Sequence, residues 1–442
     1  MMTNKSWKFD KRLIDIDLTN SRLIIFAIIV GVIAGVASSI FRIILSKIED
    51  AKLILFSNIN TSNLTDWILP ISIGIIGTAI SIFLVRRFAP EAAGSGIHEI
   101  EGALDEVRTL RWKRILPIKF IASIFSLGSG FLLGREGPTI QIGANIGKMV
   151  KDIVKEPDSE NNPLVSAGAA AGLAGAFNAP LSGIIFVIEE MHGVFKYNFF
   201  SVASIMIASG TADFIARILT GGNPAIKMTI YPSPPIYNIW LFILLGIILG
   251  IVGYIFNKSI IYALDFFNKL QKKQIIIMVI SAGILISVIG ILFPNMIGGG
   301  YNTIKTVLNQ SFTLKILIIL FISRFILTIL SYGIGLPGGI FAPLVALGVV
   351  FGVIYGNIIQ YFFPGLIQDV GVFAIAGMSG IFASTIKAPL TGLILAVEMT
   401  LNFELLLPLI FTTVTASIIT TQLGNKPIYT ILLKRILKTS TN

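Results

Sequence analysis

Long apolar runs fill the sequence, and the polar segments between them are short. Ten runs reach the length at which a helix spans a bilayer, about 17–25 residues. They are residues 23–44, 67–85, 115–133, 199–219, 239–261, 275–293, 314–330, 340–363, 372–397 and 405–421. The pattern therefore predicts an all-α polytopic membrane protein.

Four of the apolar stretches are interrupted by glycine and proline beside a charged or small polar residue. The interruptions are Gly-Arg-Glu-Gly-Pro at 134–138, Asn-Ala-Pro at 178–180, Leu-Pro-Gly-Gly at 336–339 and Lys-Ala-Pro at 387–389. Broken backbone at membrane depth is tolerated only where protein or a water-filled cavity surrounds it. One such break would indicate a helix kink, whereas four favour a binding cavity.

An internal repeat divides the chain into two homologous halves. Residues 171–190 align with 380–399 at a shift of 209, with seven identities in twenty pairs. Two further matches keep the same order: 94–97 over 298–301 at a shift of 204, and 134–147 over 335–348 at a shift of 201. Two halves with broken helices near their middle predict a secondary-transporter fold with its site at the repeat interface. The repeat alone leaves open whether the halves are inverted or parallel.

The repeat and the flanking segments together predict four parts of the chain. Residues 1–20 and 426–442 are polar and rich in Lys and Arg, which predicts cytoplasmic segments at both ends. Residues 21–220 and 221–425 are expected to form the first and second repeats of the transmembrane domain. The first apolar run lacks the cleavage site of a signal peptide, so we expect a multi-pass protein of the cell inner membrane.

Composition narrows the classes of function further. Charged residues make up 13% of the chain, half of what a soluble domain carries, so most side chains must face lipid or other helices. The formal charge of +11 fits basic cytoplasmic loops better than nucleic-acid binding. There is no cysteine and there are only two histidines, His98 and His192, so we predict no metal site and no cofactor.

Glycine-rich segments at expected helix starts indicate an anion site. Ser95 lies between Gly94 and Gly96, and residues 339–341 follow Pro337. The N-terminus of a helix offers unpaired N–H donors and a partial positive charge, which attract an anion without a buried cation. The alternative is that these glycines only allow close helix packing.

Glu136 lies deep in apolar sequence between Arg135 and Gly137. An ionisable residue inside the membrane is costly and indicates function by default. At a helix start its carboxylate would be stabilised by the donors that hold an anion, so it could compete with that anion and leave when protonated. The alternative is a salt bridge with Arg135, although adjacent residues rarely face each other on a helix.

Two adjacent glutamates end another apolar run, and the repeat distinguishes them. Glu189 aligns with Glu398, which predicts a structural feature common to both halves. Glu190 aligns with Met399, and an acid present in only one half is the better candidate for a proton relay. The alternative is a carboxylate in water at a helix end.

The sequence contains incomplete forms of two motifs for other chemistry, a P-loop and a zinc-protease site. Residues 143–148 have one residue too few for a P-loop, and Met149 follows where Ser or Thr is required. The segment that begins at His98 lacks the second histidine of a zinc protease. An intramembrane enzyme with Glu136 and Glu190 as acid and base would lack any accompanying nucleophile or metal set, so we predict that the protein is not an enzyme.

Four segments together resemble the signatures of the CLC chloride channel and transporter family. They are Gly-Ser-Gly-Ile at 94–97, Gly-Arg-Glu-Gly-Pro at 134–138, Gly-Ile-Phe-Ala-Pro at 339–343 and Lys-Pro-Ile-Tyr at 426–429. The similarity extends from the first helix to Tyr429. It implies a CLC fold with two inverted-topology repeats of tilted, broken helices, and a homodimer with one pathway per subunit.

The resemblance also assigns roles to single residues. It implies that Ser95, Ile340, Phe341 and Tyr429 line the central anion site, and we place Gly96, Arg135 and Gly137 beside them. Glu136 matches the gating glutamate, which occupies an anion site when charged. Glu190 matches the internal proton glutamate that antiporters carry and passive channels usually lack. Serine at position 95 is typical of members that prefer chloride, whereas nitrate-preferring members tend to have proline there.

The function expected from this resemblance is exchange of chloride for protons across the bilayer. The alternative is a passive, voltage-gated or pH-gated chloride channel of the same fold. Two departures from the family pattern matter. His98 replaces the usual proline, which predicts either a neutral surface-facing or helix-start histidine or an added pH dependence of transport. The regulatory pair of domains that follows the membrane domain in many members is not expected here.

Overall fold

The computed structural model describes residues 18–155, 163–191 and 198–440. His192, on which part of the metal-site prediction rested, lies outside these residues. The described residues form seventeen α-helices. They are α1 (Leu18–Ser57), α2 (Ile68–Phe88), α3 (Ile97–Leu104), α4 (Trp112–Gly128), α5 (Glu136–Val154), α6 (Pro163–Phe177), α7 (Pro180–Glu190), α8 (Phe199–Thr220), α9 (Ile239–Asn268), α10 (Lys272–Leu292), α11 (Tyr301–Asn309), α12 (Leu314–Gly333), α13 (Phe341–Phe362), α14 (Gly371–Ile386), α15 (Pro389–Thr400), α16 (Leu406–Gln422) and α17 (Ile428–Ser440).

Among the described residues, eight helices are long and apolar enough to cross a membrane, namely α1, α2, α8, α9, α10, α12, α13 and α16. They match eight of the ten predicted runs, so the prediction of a polytopic all-α membrane protein is confirmed. The run at 372–397 is wrong as a single helix, because it divides into α14 and α15. The division lies at Lys387, whose φ is +68°, and Pro389 then opens α15. The run at 115–133 is helical only as far as Gly128.

Three helices next to the breaks, α5, α6 and α7, lie between the predicted runs. The sequences of α5 and α6 are rich in glycine, alanine and polar residues, and almost every residue of α6 is buried. Helices such as α10, by contrast, expose large apolar side chains, including Ile276 and Ile277. Small residues suit a helix that packs on other helices, whereas large apolar ones suit contact with lipid. The search for runs of spanning length misses α6 and α7 because they are short, and it misses α5 because that helix carries polar and charged residues.

The packing of helices α1–α8 is repeated by α9–α16. Helix α5 packs on α6 as α13 packs on α14, and α1 packs on α8 as α9 packs on α16. Equivalent helices also contact each other across the molecule, since α2 packs on α10 and α7 packs on α15. The predicted repeat is thus a repeat in three dimensions.

Two glutamates make reciprocal contacts between the halves. The carboxylate of Glu189 accepts hydrogen bonds from the backbone N–H of Thr391 (2.7 Å) and from its hydroxyl (2.7 Å), in the first turn of α15. Glu398 accepts the equivalent bonds from Ser182 (2.7 and 2.6 Å), in the first turn of α7. Each acid satisfies unpaired donors at the start of a helix in the other half. The interpretation of Glu189 as a structural residue shared by both halves is confirmed.

The third repeat match needs correction. Gly134 and Gly339 exchange backbone hydrogen bonds, each N–H donating to the other residue's carbonyl at 2.7 Å, and α5 and α13 begin two residues later. The shift between these segments is therefore 205, whereas the alignment predicted 201. Glycines recur four residues apart in this region, at 143 and 147 and at 348 and 352. A slip of one helical turn consequently aligned some glycines with the wrong partners.

Glycines let α5 lie directly against α6. A Cβ atom at Gly147 would overlap the backbone carbonyl oxygen of Leu164, whereas one at Gly210 of α8 would meet no atom within 4 Å. We therefore expect Gly147→Val to abolish recovery of folded protein, because backbone cannot yield as a flexible side chain can. Gly210→Ala should change stability by no more than about 1 kcal/mol.

Size-exclusion profiles and melting temperatures of the detergent-solubilised variants provide the measurement. A monodisperse Gly147→Val protein with an unchanged melting temperature would contradict this packing.

Candidate functional site

Three broken segments from both halves of the chain meet inside the protein. A Cβ atom at Gly137 would lie 2.9 Å from the Cα atoms of both Ser95 and Gly339, so these three backbones are in direct contact. Gly96, with a φ of +81°, precedes the first residue of α3. Glycine is required here because it adopts this left-handed conformation freely and leaves no side chain between the segments. The N-termini of α3, α5 and α13 consequently lie close together.

Ser95 is fully buried in the loop that leads into α3. Its Oγ accepts a hydrogen bond from the backbone N–H of Ile97 (3.3 Å) and lies 3.5 Å from the hydroxyl of Tyr332. The loop is held by Lys119, a fully buried cation that donates to the carbonyl oxygens of Gly94 (2.7 Å) and Ala92 (2.9 Å). Buried charges require such partners, and these bonds fix the position of the serine.

Ile340 and Phe341 lie at the start of α13, where both are fully buried. The ring of Phe341 packs against Phe186, Phe382 and Tyr429, with ring centroids 5.4, 4.8 and 6.3 Å apart. The hydroxyl of Tyr429 is buried and has no hydrogen-bond partner in the part of the chain that the structure describes. An unpaired buried donor is costly. An anion at this position would accept its hydrogen bond.

Glu136 is the first residue of α5 and is fully buried. Its Oε1 accepts a hydrogen bond from the hydroxyl of Tyr301 (2.9 Å), and its Oε2 accepts one from the backbone N–H of Ala342 (3.4 Å) in the first turn of α13. A side chain on Gly134 would overlap Oε2, so the glycine leaves room for the carboxylate to fold back. The carboxylate therefore lies where a helix start attracts an anion.

Arg135 gives partial support to the alternative reading of Glu136 as a salt-bridge residue. Its Nε lies 4.0 Å from Oε1 of Glu136, at the outer limit of an ion pair. The guanidinium group instead stacks over the ring of Tyr301, 4.6 Å from its centroid. The closer contacts of the carboxylate are thus with Tyr301 and Ala342, and the arginine contributes mainly positive charge nearby.

Glu190 is the last residue of α7, and its carboxyl group lies close enough to that of Glu101 on α3 for the two to interact. Two neighbouring carboxylates repel each other, so a proton on one of them would stabilise the pair. Oε1 of Glu190 is buried without a hydrogen-bond partner among the described residues, whereas the residue as a whole is half-buried. The alternative of a helix-end carboxylate in water is correct about the helix end.

Two cavities lie beside the converging helix starts. One, of about 270 Å³, is lined by Arg135, Tyr301 and residues of α1, and we call it the Glu136-side cavity. The other, of about 490 Å³, is lined by Gly94, His98, Tyr332 and several arginines, and we call it the Ser95-side cavity. Basic residues in a concave surface raise the local concentration of anions. Both cavities reach residues next to the site.

His98 is the second residue of α3 and lines the Ser95-side cavity. It is only 6% exposed, so the helix-start part of the prediction is correct and the surface-facing part is wrong. The helix starts inside the protein and ends near exposed Asp105, so a residue in its first turn is buried. The alternative of an added pH dependence stays a prediction.

Sequence reasoning missed several residues of the site. Tyr301 is the clearest example of a missed residue. Its counterpart in the repeat is Ile97, so its hydroxyl is present in only one half of the chain. The same kind of asymmetry selected Glu190 as a candidate. Glu101 was considered only as part of a failed metal motif. Among the described residues, no cluster of three or more metal-ligating side chains is found.

Comparison with known proteins gives consistent results. The family model described as voltage gated chloride channel matches residues 77–421. The H(+)/Cl(-) exchange transporter ClcA of Vibrio parahaemolyticus serotype O3:K6 (strain RIMD 2210633) is 44% identical over 421 residues, which covers 94% of this chain and 90% of that protein. The protein of the same name from Salmonella arizonae (strain ATCC BAA-731 / CDC346-86 / RSK2980) is 39% identical, with 97% of this chain and 91% of that protein covered.

Solved structures show the same fold. A slow cyanobacterial Cl-/H+ antiporter superposes with a TM-score of 0.90 at 38% identity, covering 95% of this chain and 99% of that one. A CLC-type fluoride/proton antiporter superposes with a TM-score of 0.74 at 21% identity, covering 90% and 95%, which is a likeness of fold. The fold class implied by the resemblance is confirmed.

The unpaired hydroxyl of Tyr429 leads to a test of the anion site. Tyr429→Phe removes a hydroxyl without a protein partner, so we expect an unchanged melting temperature and chloride affinity about 3- to 10-fold weaker, the value of one hydrogen bond. Isothermal titration calorimetry with chloride measures the affinity. Tyr355→Phe is the matched control, since its buried hydroxyl donates to the carbonyl of Leu241 (2.8 Å). The opposite pattern, in which only the control weakens binding, would exclude Tyr429 from the site.

Proposed function

The chain belongs to the voltage-gated chloride channel family, and on that premise we propose that it is a secondary active antiporter that exchanges chloride for protons. The two relatives reported above are both named H(+)/Cl(-) exchange transporter. The alignments with this chain cover 90% and 91% of their length. The protein is a multi-pass membrane protein of a transporter family, and transport rather than catalysis is its proposed activity.

In this proposal chloride lies between the starts of α3, α5 and α13. Backbone N–H groups next to Gly96, Gly137, Ile340 and Phe341 provide partial positive charge, and the hydroxyls of Ser95 and Tyr429 complete the site. Transport requires binding that is strong enough to admit an ion and weak enough to release it. Partial charges meet this condition better than a full cation in contact with the anion would. The unpaired buried hydroxyl of Tyr429 supports this assignment.

Glu136 acts as the gate and as the proton acceptor on its side of the anion site. The observation that carries the proposal is the bond from the N–H of Ala342 to its Oε2, because a carboxylate at a helix start stands in for a bound anion. Protonation removes the charge that these donors stabilise. The neutral side chain can then leave, and chloride can take its place.

Glu190 passes protons between the Ser95 side of the protein and Glu136. Its position beside Glu101 supports this role, because a proton on one of two neighbouring carboxyl groups can pass to the other with little movement. The absence of an acid at the equivalent position, Met399, restricts the relay to one half. The alternative of a passive chloride channel has no need of such a pair.

The proposal extends to the arrangement in the cell. We propose that the protein resides in the inner membrane as a homodimer with one pathway per subunit and with both termini in the cytoplasm. The two repeats span residues 21–220 and 221–425, between the cytoplasmic segments 1–20 and 426–442. Exposed apolar side chains on α16, such as Ile410 and Ile418, support contact of that face with lipid or with a second subunit.

Proton-coupled flux in proteoliposomes tests the proposal. An outward chloride gradient should drive uphill proton uptake in the wild type, recorded with a pH electrode beside a chloride electrode. Glu190→Gln should reduce proton movement at least tenfold while chloride still moves, because an amide cannot release a proton. Glu136→Gln should remove proton coupling and the pH dependence of chloride flux together.

Glu404→Gln is the matched control, since Glu404 is exposed in the turn before α16. It should leave both fluxes at wild-type values. Chloride flux without any proton movement in the wild type would establish the passive channel instead. Coupled transport that survives Glu190→Gln would remove that residue from the relay.

A further inference from the structure

We propose that Tyr301 is a positioning residue whose hydroxyl holds the Glu136 carboxylate in the anion site and thereby sets the pH at which the pathway opens. The inference rests on the proposed gating role of Glu136. Its basis is the hydrogen bond from the tyrosine hydroxyl to Oε1, which at 2.9 Å is the shorter of the two bonds given above for that carboxylate. The two bonds come from two different helices of the second half, α11 and α13, and each engages a different oxygen.

Neighbouring segments hold the backbone and the ring of Tyr301 in place. Gly300, with a φ of +114°, turns the backbone into α11, of which Tyr301 is the first residue. The preceding loop is fixed by Arg324, a fully buried cation that donates to the carbonyl oxygen of Gly298 (3.1 Å). The guanidinium of Arg135 covers the ring face. The hydroxyl is therefore a preorganised donor rather than a mobile one.

The position of Tyr301 distinguishes it from an ordinary packing residue. It is partly exposed and lines the Glu136-side cavity, so the same side chain borders that cavity and bonds the carboxylate. When Glu136 leaves, the same O–H can donate to an anion that enters from the cavity. The repeat counterpart, Ile97, has no side-chain donor, so this function exists at only one of the two equivalent helix starts.

The sign of the effect on pH dependence follows from the chemistry of the bond. A hydroxyl that donates to a carboxylate stabilises the charged form, and protonation gives up part of that stabilisation. The other charged groups around this carboxylate would persist in a Tyr301 variant. They are Arg135 before α5 and, lining the same cavity from α1, Arg42, Glu49, Asp50 and Lys52. Loss of the hydroxyl alone should therefore let Glu136 protonate, and the pathway open, at higher pH.

The experiment compares the pH profiles of chloride flux in proteoliposomes. Tyr301→Phe keeps the ring and removes only the donor, so we expect the midpoint of the profile to move up by about one pH unit. Flux at pH values above the wild-type midpoint should increase several-fold. Tyr355→Phe, which also removes a buried hydroxyl bond, should leave the midpoint unchanged. Replacing Tyr301 with 3-fluorotyrosine, a stronger donor of the same shape, should move the midpoint down.

A double variant separates this role from a general structural one. In a Glu136→Ala background there is no carboxylate to hold, so Tyr301→Phe should cause no further change in flux or in its pH dependence. The proposal is overturned if Tyr301→Phe and the fluorotyrosine protein both keep the wild-type midpoint, or if the shift persists without Glu136. Should the wild type move chloride but no protons, the antiporter proposal fails while the midpoint comparison still decides the role of Tyr301.

Discussion

The architecture of the site depends on helix N-termini that meet inside the membrane domain. The paired backbones of Gly134 and Gly339, two residues before α5 and α13, bring the two halves into contact where a side chain would separate them. The N–H groups at these starts have no partner within their own helices, and water is scarce at this depth. They require an acceptor, and an anion or a carboxylate can provide it. The alternation between chloride and Glu136 in our proposal follows from that single requirement.

The symmetry of the repeats builds the scaffold, and departures from symmetry carry the proposed function. Reciprocal bonds of Glu189 and Glu398 tie the halves together in the same way on both sides. With the corrected shift of 205, the counterpart of Glu136 is Phe341. Glu190 corresponds to Met399, and Tyr301 to Ile97. A titratable or hydroxyl-bearing side chain thus replaces an apolar one at three positions around one pathway, which gives the pathway a direction that a symmetric scaffold lacks.

Two buried basic side chains near the proposed anion site are held by hydrogen bonds to backbone oxygens. Lys119 donates to carbonyl oxygens in the loop before Ser95, and Arg324 does so in the loop before Tyr301. Both side chains are fully buried. A buried cation satisfied in this way fixes the shape of a loop and adds a long-range positive potential. It does so without the tight contact that would trap an ion in the pathway.

The sequence by itself determined the membrane class, the two halves, the broken helices and the candidates Glu136 and Glu190. Hydropathy and the glycine and proline breaks are local properties of the sequence, and the repeat is found by comparing the sequence with itself. A single sequence is therefore enough to reveal all of them. Only the tertiary structure decided the register of the repeat, the proximity of Glu190 to Glu101 and the bond between Tyr301 and Glu136. Residues 165 positions apart in sequence form that last bond. Such contacts depend on how the helices pack, and no pattern within a segment specifies which distant side chain will reach a given oxygen.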